Sequence, residues 1–320
     1  MELRYNLAMS TTSIPLLISE RDASFLEFQY QHASLPVPNE NMSFYAKVDG
    51  CTISIYKKIY EDKKRKVLFQ GVKAEEYAKR FGYKPEPVNV NVGFYHEPNI
   101  HFGIINQIGS DEVGTGDFFG PIVVCAAYVD EEGARLAEKL KLTDSKQMDD
   151  AYIRQIGAEV SLAFDHSLLV LRNEKFNEVH KAGTNVNVMK AKMHNQCLYN
   201  VLLRHDNAFL YQDEFAEPEL YYHYLKDENV VVRGIHFAPR AESKWVSVAV
   251  ASVIARYAFL CAMDKLSIEF GEPIPLGAGP KVDAFALRQL NQKGLPFLQK
   301  AVKMNFSNYK RLTEKANLDS

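Results

Sequence analysis

Residues 104–129, IINQIGSDEVGTGDFFGPIVVCAAYV, set the tightest limit on what this chain can fold into. An apolar run from Ile104-Ile105 to Ile108 leads into two adjacent acids, Asp111 and Glu112. A glycine-rich turn follows, Gly114-Thr115-Gly116, and then a second apolar run from Pro121 to Val129. The pattern predicts strand, turn, strand. Two carboxylates at the end of a central strand are costly unless something compensates them, because a charge taken out of water needs a partner or a metal. Protonating one acid is the usual escape from their mutual repulsion. A hard divalent cation is the other: Mg²⁺ takes oxygen ligands, keeps several waters, and suits a few carboxylates together with a substrate phosphate.

Two further acids stand at positions that would complete such a site. Asp213 ends the apolar run AFLYQD (208–213), read as a buried strand, and Glu242 lies at the entry to a long apolar helix predicted over 243–270. If these strands are neighbours in one sheet, their ends bring Asp111, Glu112, Asp213 and Glu242 together. Taken singly, each acid has a plainer reading as a helix cap or a surface charge. Two ions about 3.5–4 Å apart would activate a water and stabilise the leaving oxygen of a phosphodiester. None of the nine histidines shows metal-ligand spacing, and His194, on a helix predicted over 187–204, is expected as a packed or surface residue. The turn Gly114-Thr115-Gly116 has no side chain at its glycines to block close approach of a ligand. Beside a metal site that ligand could be a ribose, whose 2′-hydroxyl distinguishes RNA from DNA. Neither GxGxxG nor the GxxxxGKS phosphate loop occurs in the chain.

With 320 residues, the chain has room for two domains. A net charge of -2 offers no global attraction to a polyanion, so such a partner would be held by local patches or through metal. The four cysteines, Cys51, Cys125, Cys197 and Cys261, are far apart and form no CxxC pair. They read as buried thiols of a reducing compartment. The start, MELRYNLAMSTTS, lacks a signal's apolar core, and the apolar stretch 246–263 is interrupted by Arg256. The expectation is a cytoplasmic, monomeric protein with no membrane contact and no obligate protein partner.

Residues 1–85 read as a small α+β module. Strands are expected at 44–47, 52–56 and 67–70, with a helix at 74–81 and another around 15–27. Between two of these strands KKIYEDKKRK (57–66) gathers Lys57, Lys58, Lys63, Lys64, Arg65 and Lys66. It is either a solvated hairpin tip or a loop that contacts nucleic-acid phosphates. The stretch 86–100, with Pro87, Pro98 and intervening asparagines, reads as a linker. From 101 to 320 strands and helices mix. Helices are expected at 131–141, 150–161, 218–225, 282–291 and 297–304, and strands at 166–172 and 230–237. The segment 281–320 is locally basic, with eight Lys/Arg against three Asp/Glu.

Several of these stretches together resemble one family. IGSDEVGTGDFFGPIVVCAAYV, LTDSKQM (142–148), NEKFN (173–177), MKAKMHNQ (189–196), QDEF (212–215), AESKWVSVAVASVIARYAFL (241–260) and GAGPKVD (277–283) are similar to ribonuclease HIII, a branch of the type 2 ribonucleases H. FYAKVDGCTISIY and VLFQG resemble that branch's N-terminal TATA-binding-protein-like substrate-binding domain. The resemblance implies an α/β fold, a ribonuclease H-like mixed sheet with flanking helices, plus the small N-terminal domain. It implies endonucleolytic cleavage of the RNA strand of an RNA/DNA hybrid with two Mg²⁺ or Mn²⁺ ions, leaving a 5′-phosphate and a 3′-hydroxyl. The four acidic ligands of the family fall on Asp111, Glu112, Asp213 and Glu242, and the ribose-reading turn on Gly114, Thr115 and Gly116. Asp144, Ser145 and Lys146 match a motif near the substrate backbone. There the chain has Gln147 and Met148 where family members often carry a second Lys and then Leu, a change that bears on a backbone contact only. Glu242 and Thr115 carry the HIII form of their motifs and weigh against the HII task of incising at single ribonucleotides. The four intact acids weigh against a non-catalytic binding module.

Overall fold

The computed structural model describes residues 12–84, 88–91, 106–142 and 148–318. The chain divides into two compact units, residues 1–86 and 87–320.

In the first unit, β1 (Thr12–Ser19), α1 (Glu20–Gln29), β2 (Met42–Val48), β3 (Cys51–Tyr60), β4 (Lys64–Gly71) and α2 (Ala74–Lys79) follow in order. The four strands form an antiparallel sheet in the order β1-β4-β3-β2. Ile53, Ile55, Val67 and Phe69 point into a core completed by Leu26 of α1 and by Ala74 and Tyr77 of α2. The helix expected around 15–27 is instead a strand followed by a helix. Ile14 and Ile18 of β1 reach the core, and Ser19 caps α1 by accepting from the Asp22 amide at 3.1 Å. The basic stretch 57–66 forms a hairpin with an exposed tip, one of the two arrangements expected for it. β3 and β4 run through it, and the chain reverses at Glu61–Lys63, where Asp62 and Lys63 take positive φ.

The second unit contains β5 (Val88–Asn91), β6 (Gln107–Val113), β7 (Ile122–Val129), α3 (Glu131–Lys139), α4 (Asp150–Ala163), β8 (His166–Leu171), α5 (Asn173–Lys181), α6 (Val186–Leu202), β9 (Phe209–Asp213), α7 (Pro218–Tyr224), β10 (Val230–Arg233), β11 (Ile235–Ala238), α8 (Val246–Phe270), α9 (Pro280–Lys293), α10 (Leu295–Gln299) and α11 (Ser307–Leu318). Its main sheet is mixed, in the order β11-β9-β6-β7-β8. β6 pairs antiparallel with β7 and parallel with β9. Strand residues alternate between the two faces. Val123, Cys125 and Ala127 meet α8 on one side, and Ile122, Val124 and Ala126 meet α6 on the other.

α8 is apolar around its whole circumference, as a helix buried on all sides must be. It is long and apolar enough to span a bilayer, yet 67% of that apolar window is buried inside the protein. Its first turn crosses β6 at Gly109, where a Cβ would collide with the backbone nitrogen of Val248 and the carbonyl carbon of Ser247. Only glycine permits that approach, which brings the helix over the strand two residues before Asp111.

Two departures from the sequence reading have local causes. Within 86–100, read as a linker, Val88–Asn91 forms a strand pairing in parallel with β10; the VNVN alternation has the period of a strand, obscured by the flanking prolines. The strand expected over 230–237 is broken in two at Gly234, whose φ of +76° turns the chain from β10 to β11. Buried Asn195 of α6 fastens β10, donating to Val230 O at 2.8 Å and accepting from Val232 N at 2.9 Å.

Candidate active site

Strand alternation separates the two adjacent acids. Asp111 faces α8, and Glu112 faces α6. Asp111 lies one step beyond the last paired residues of β6 and β9, Ser110 and Gln212, and Asp213 occupies the matching position on β9. The two carboxylates are thus at neighbouring positions of a parallel pair. Burial, and next the Glu112 charge, push the Asp111 carboxyl up to about 8; Asp213 adds to this, while a hydrogen bond with Ser252 of α8 acts against it. Asp213 accepts from the Ala241 amide at 2.9 Å. That bond ties β9 to the short 3₁₀ turn Ala241–Ser243, which carries Glu242. Arg240, in the left-handed region with φ 54°, makes the bend between β11 and this turn.

Glu112 has a different environment. Lys190 Nζ lies 2.5 Å from one carboxylate oxygen, and His194 Nε2 lies 2.8 Å from the other. The other ring nitrogen of His194, Nδ1, is 3.0 Å from Ser110 Oγ. Lys190 also sits over the Phe215 ring, 3.9 Å from its centroid. Burial opposes the Glu112 charge, but the hydrogen bond from His194 and the charge of Lys190 outweigh it and hold the carboxyl below its usual value. His194 is packed, as expected, but it also touches a candidate ligand. The signal was present in the sequence, since Lys190 and His194 are four residues apart and so share a helix face. Nothing local shows that this face meets β6.

Glu112 and Glu242 line a cavity of about 510 Å³ together with Asp149, Asp150 and Arg256. Arg256 is committed to Asp150 by two hydrogen bonds, at 2.8 and 2.9 Å. Asp149 caps α4 through the Tyr152 amide. Among the described residues no group of three His, Cys, Asp or Glu is placed so as to hold a metal ion. The ion pairs of Glu112 account for its part in this, since they draw its carboxylate toward α6. The donor set nevertheless suits a hard cation. Asp111 and Asp213 offer oxygen only, and the Asp111 charge is opposed by its neighbours, a penalty that a divalent ion would reverse.

In the glycine turn, Gly114 has φ +89°, and a Cβ there would collide with the Pro121 carbonyl. Thr115 is half-buried and Gly116 exposed. A Cβ at Gly116 would meet nothing within 4 Å, so its missing side chain serves no contact within the protein. Asp144, Ser145 and Lys146 lie outside the described residues. Of the basic hairpin, Lys57, Lys58 and Lys63 are exposed, and Lys64 and Lys66 are half-buried. Arg65 is engaged by the fold, 3.2 Å from Glu27 and donating to Tyr56 O at 3.1 Å, so it is not free for a phosphate.

Comparison with known proteins agrees with this topology. Residues 108–309 match the family model described as ribonuclease HII, and residues 15–91 match a domain of unknown function (DUF3378). Ribonuclease HIII of Bacillus pumilus is 39% identical over 92% of this chain and 96% of its own length. That of Listeria monocytogenes is 41% identical over 94% and 96%. Among solved structures, Bst-RNase HIII in complex with Mn²⁺ superposes with a TM-score of 0.64 at 34% identity, covering 95% of this chain and 99% of that one. RNase H3 of Aquifex aeolicus shares the fold, with a TM-score of 0.51 at 20% identity. The class is therefore that of the ribonuclease H nucleases, hydrolases with a mixed sheet and flanking helices. Within it, the chain belongs to the ribonuclease HIII family and is an endoribonuclease.

Proposed function

We propose that this protein hydrolyses the RNA strand of RNA/DNA hybrids by two-metal-ion catalysis, leaving 5′-phosphate and 3′-hydroxyl ends. The observation that carries the reading is the placement of Asp111 and Asp213 at neighbouring positions of β6 and β9, with the Asp111 charge opposed rather than paired. Two Mg²⁺ or Mn²⁺ ions, when bound, supply an activated water and stabilise the leaving 3′-oxygen. Asp111, Glu112, Asp213 and Glu242 would hold them. The Mn²⁺ complex of Bst-RNase HIII supports the choice of ion.

The rest of the chain positions the substrate. Lys190 and His194 orient the Glu112 carboxylate, and the Ala241 amide orients that of Asp213. The backbone of Gly114, Thr115 and Gly116 reads the 2′-hydroxyl, with Gly116 leaving room for a ribose. Asp144, Ser145 and Lys146 would contact the substrate backbone. The N-terminal unit adds affinity through Lys57, Lys58, Lys63, Lys64 and Lys66, a sequence-independent and salt-sensitive contribution. Lys58 and Lys66 lie over the rings of Tyr60 and Tyr56, at 4.9 and 5.4 Å from their centroids. These pairs combine charge with a flat apolar surface on the hairpin.

One gel assay tests the proposal. The protein is incubated with labelled RNA/DNA hybrid, a DNA duplex holding one ribonucleotide, and plain RNA and DNA duplexes, each with Mg²⁺, Mn²⁺ or EDTA. Cleavage of the hybrid's RNA strand with either ion and none in EDTA is expected. Binding without cleavage in every arm would leave a hybrid-binding module, and preferential incision at the single ribonucleotide would shift the task to that of the HII branch.

A further inference from the structure

The segment after the glycine turn is held from beneath by a charge that the hydrolytic site does not use. Lys303 is 1% exposed. Its Nζ donates to the carbonyl oxygens of Asp117, at 2.7 Å, and Gly120, at 2.6 Å. The backbone around it completes the clamp. Gly120 N donates to Ala301 O at 3.0 Å, Lys303 N donates to Phe118 O at 2.9 Å, and Phe119 bridges Val302. From another side, Phe118 N donates to Gly277 O at 2.9 Å, and Gly277 N donates to the Asp117 carboxylate at 2.6 Å. The clamp reaches the turn directly, since Asp117 N donates to Gly114 O at 3.3 Å.

A buried ammonium is expensive, and a methionine of similar length would fill the same space without that penalty. Burial pushes the Lys303 amine down to about 7, against the opposing pull of the Asp117 charge. What the ammonium supplies and an apolar side chain would not is a pair of charge-assisted hydrogen bonds to carbonyls on either side of Phe118-Phe119. Those carbonyls belong to the strand-to-strand connection that begins with Gly114-Thr115-Gly116. In β6 and β7 the backbone groups are satisfied by neighbouring strands, but a connection of this kind has no ladder to fix it. A buried donor shared between two of its carbonyls fixes it instead.

We propose that Lys303 is a positioning residue for the glycine turn: by fixing the Asp117 and Gly120 carbonyls it sets where the backbone of residues 114–116 meets the substrate ribose, and so the discrimination between an RNA and a DNA strand. The inference rests on the reading of that turn as the reader of the 2′-hydroxyl.

The test compares the full-length Lys303→Met and Gly116→Ala variants with the wild type. Hydrolysis kinetics on RNA/DNA hybrid are measured with Mg²⁺, along with affinity for hybrid and plain DNA duplex in EDTA. For Lys303→Met the KM for hybrid should rise about tenfold, as expected when a charge-assisted hydrogen bond is lost, with kcat nearly retained and DNA-duplex affinity unchanged. A wild-type KM in the folded variant would overturn the proposal. So would an equal loss of affinity for hybrid and DNA duplex, which marks a general loosening of the fold. Should Lys303→Met fail to fold, Asp117→Ala removes the carboxylate that holds Gly277 and faces the ammonium; a smaller rise in hybrid KM supports the proposal, and a wild-type KM overturns it. Gly116→Ala separates the two readings, because its Cβ meets no protein atom within 4 Å. If it leaves hybrid KM unchanged, the turn is not the reader and both ideas fall. If it raises KM while Lys303→Met does not, only the role of Lys303 falls.

Discussion

Asp111 and Glu112 are consecutive residues on one strand, yet the protein treats them in opposite ways. On the α6 face, Glu112 receives Lys190 on one oxygen and His194 on the other, and its charge is favoured. On the α8 face, Asp111 is desolvated beside the Glu112 and Asp213 charges; hydrogen bonds from Ser252 and from the Glu112 amide, at 2.7 Å, do not offset this, and its charge is opposed. On the proposed reading, the difference is how one strand would prepare two carboxylates for a cation. The charge of one carboxylate is favoured by the protein itself. The other is left with a deficit that only an added positive charge can fill.

Asp111→Asn should break this contrast most severely. Hydrolysis of hybrid should fall by at least about a thousandfold, because charge stabilisation and positioning are lost together, while part of the hybrid affinity survives. A gel assay beside a filter-binding measurement checks both halves, and wild-type turnover by the variant would refute Asp111 as a ligand. On the compensated side a milder loss is expected. His194→Ala leaves Lys190 in place, so activity should drop about 10- to 100-fold, the range seen when a partner of a metal ligand is removed. Equal losses from the two variants would erase the distinction between the faces.

Stability against pH sharpens the comparison in the metal-free protein. Since folding raises the Asp111 carboxyl from 3.8 to about 8, the native state holds more protons than the unfolded state between those values. Stability should therefore fall as pH rises across that window and level off above it. Glu112 has the opposite sign: its lowered value contributes stability at neutral pH that is lost in acid. Urea unfolding from pH 4 to 9 in EDTA should show the decline in the wild type and a flatter profile in Asp111→Asn. The smallest effect is expected far along the chain. Replacing Lys57, Lys58 and Lys63 by Gln should weaken hybrid binding and reduce its salt dependence by about one unit of slope per lost phosphate contact, with kcat unchanged.

Much of this architecture is legible in the sequence because it depends on local pattern. The apolar runs on either side of Gly114-Thr115-Gly116 announce β6 and β7, and the apolar character of 246–263, interrupted only by Arg256, announces a buried helix. What stays hidden depends on contacts between distant segments. Gly109 looks unremarkable until α8 crosses over it. Lys190 and His194 lie some 80 residues from Glu112, at separations of 78 and 82, and no local period predicts their meeting. Lys303 reads as one more cation in a basic tail, although it is among the most buried side chains of the molecule. β5 is concealed in the same way, since its partner, β10, lies about 140 residues further on, and an isolated four-residue alternation between prolines looks like a linker.

The most direct test of the contrast is the proton balance of Mn²⁺ binding, measured by titration calorimetry at pH 7 in buffers of different ionisation enthalpy. With the Asp111 carboxyl at about 8 in the metal-free protein, binding should release about one proton, because a ligating carboxylate must be deprotonated. Asp111→Asn should bind more weakly and release none. Mn²⁺ binding by the wild type with no proton release, at an affinity that Asp111→Asn retains, would contradict the account.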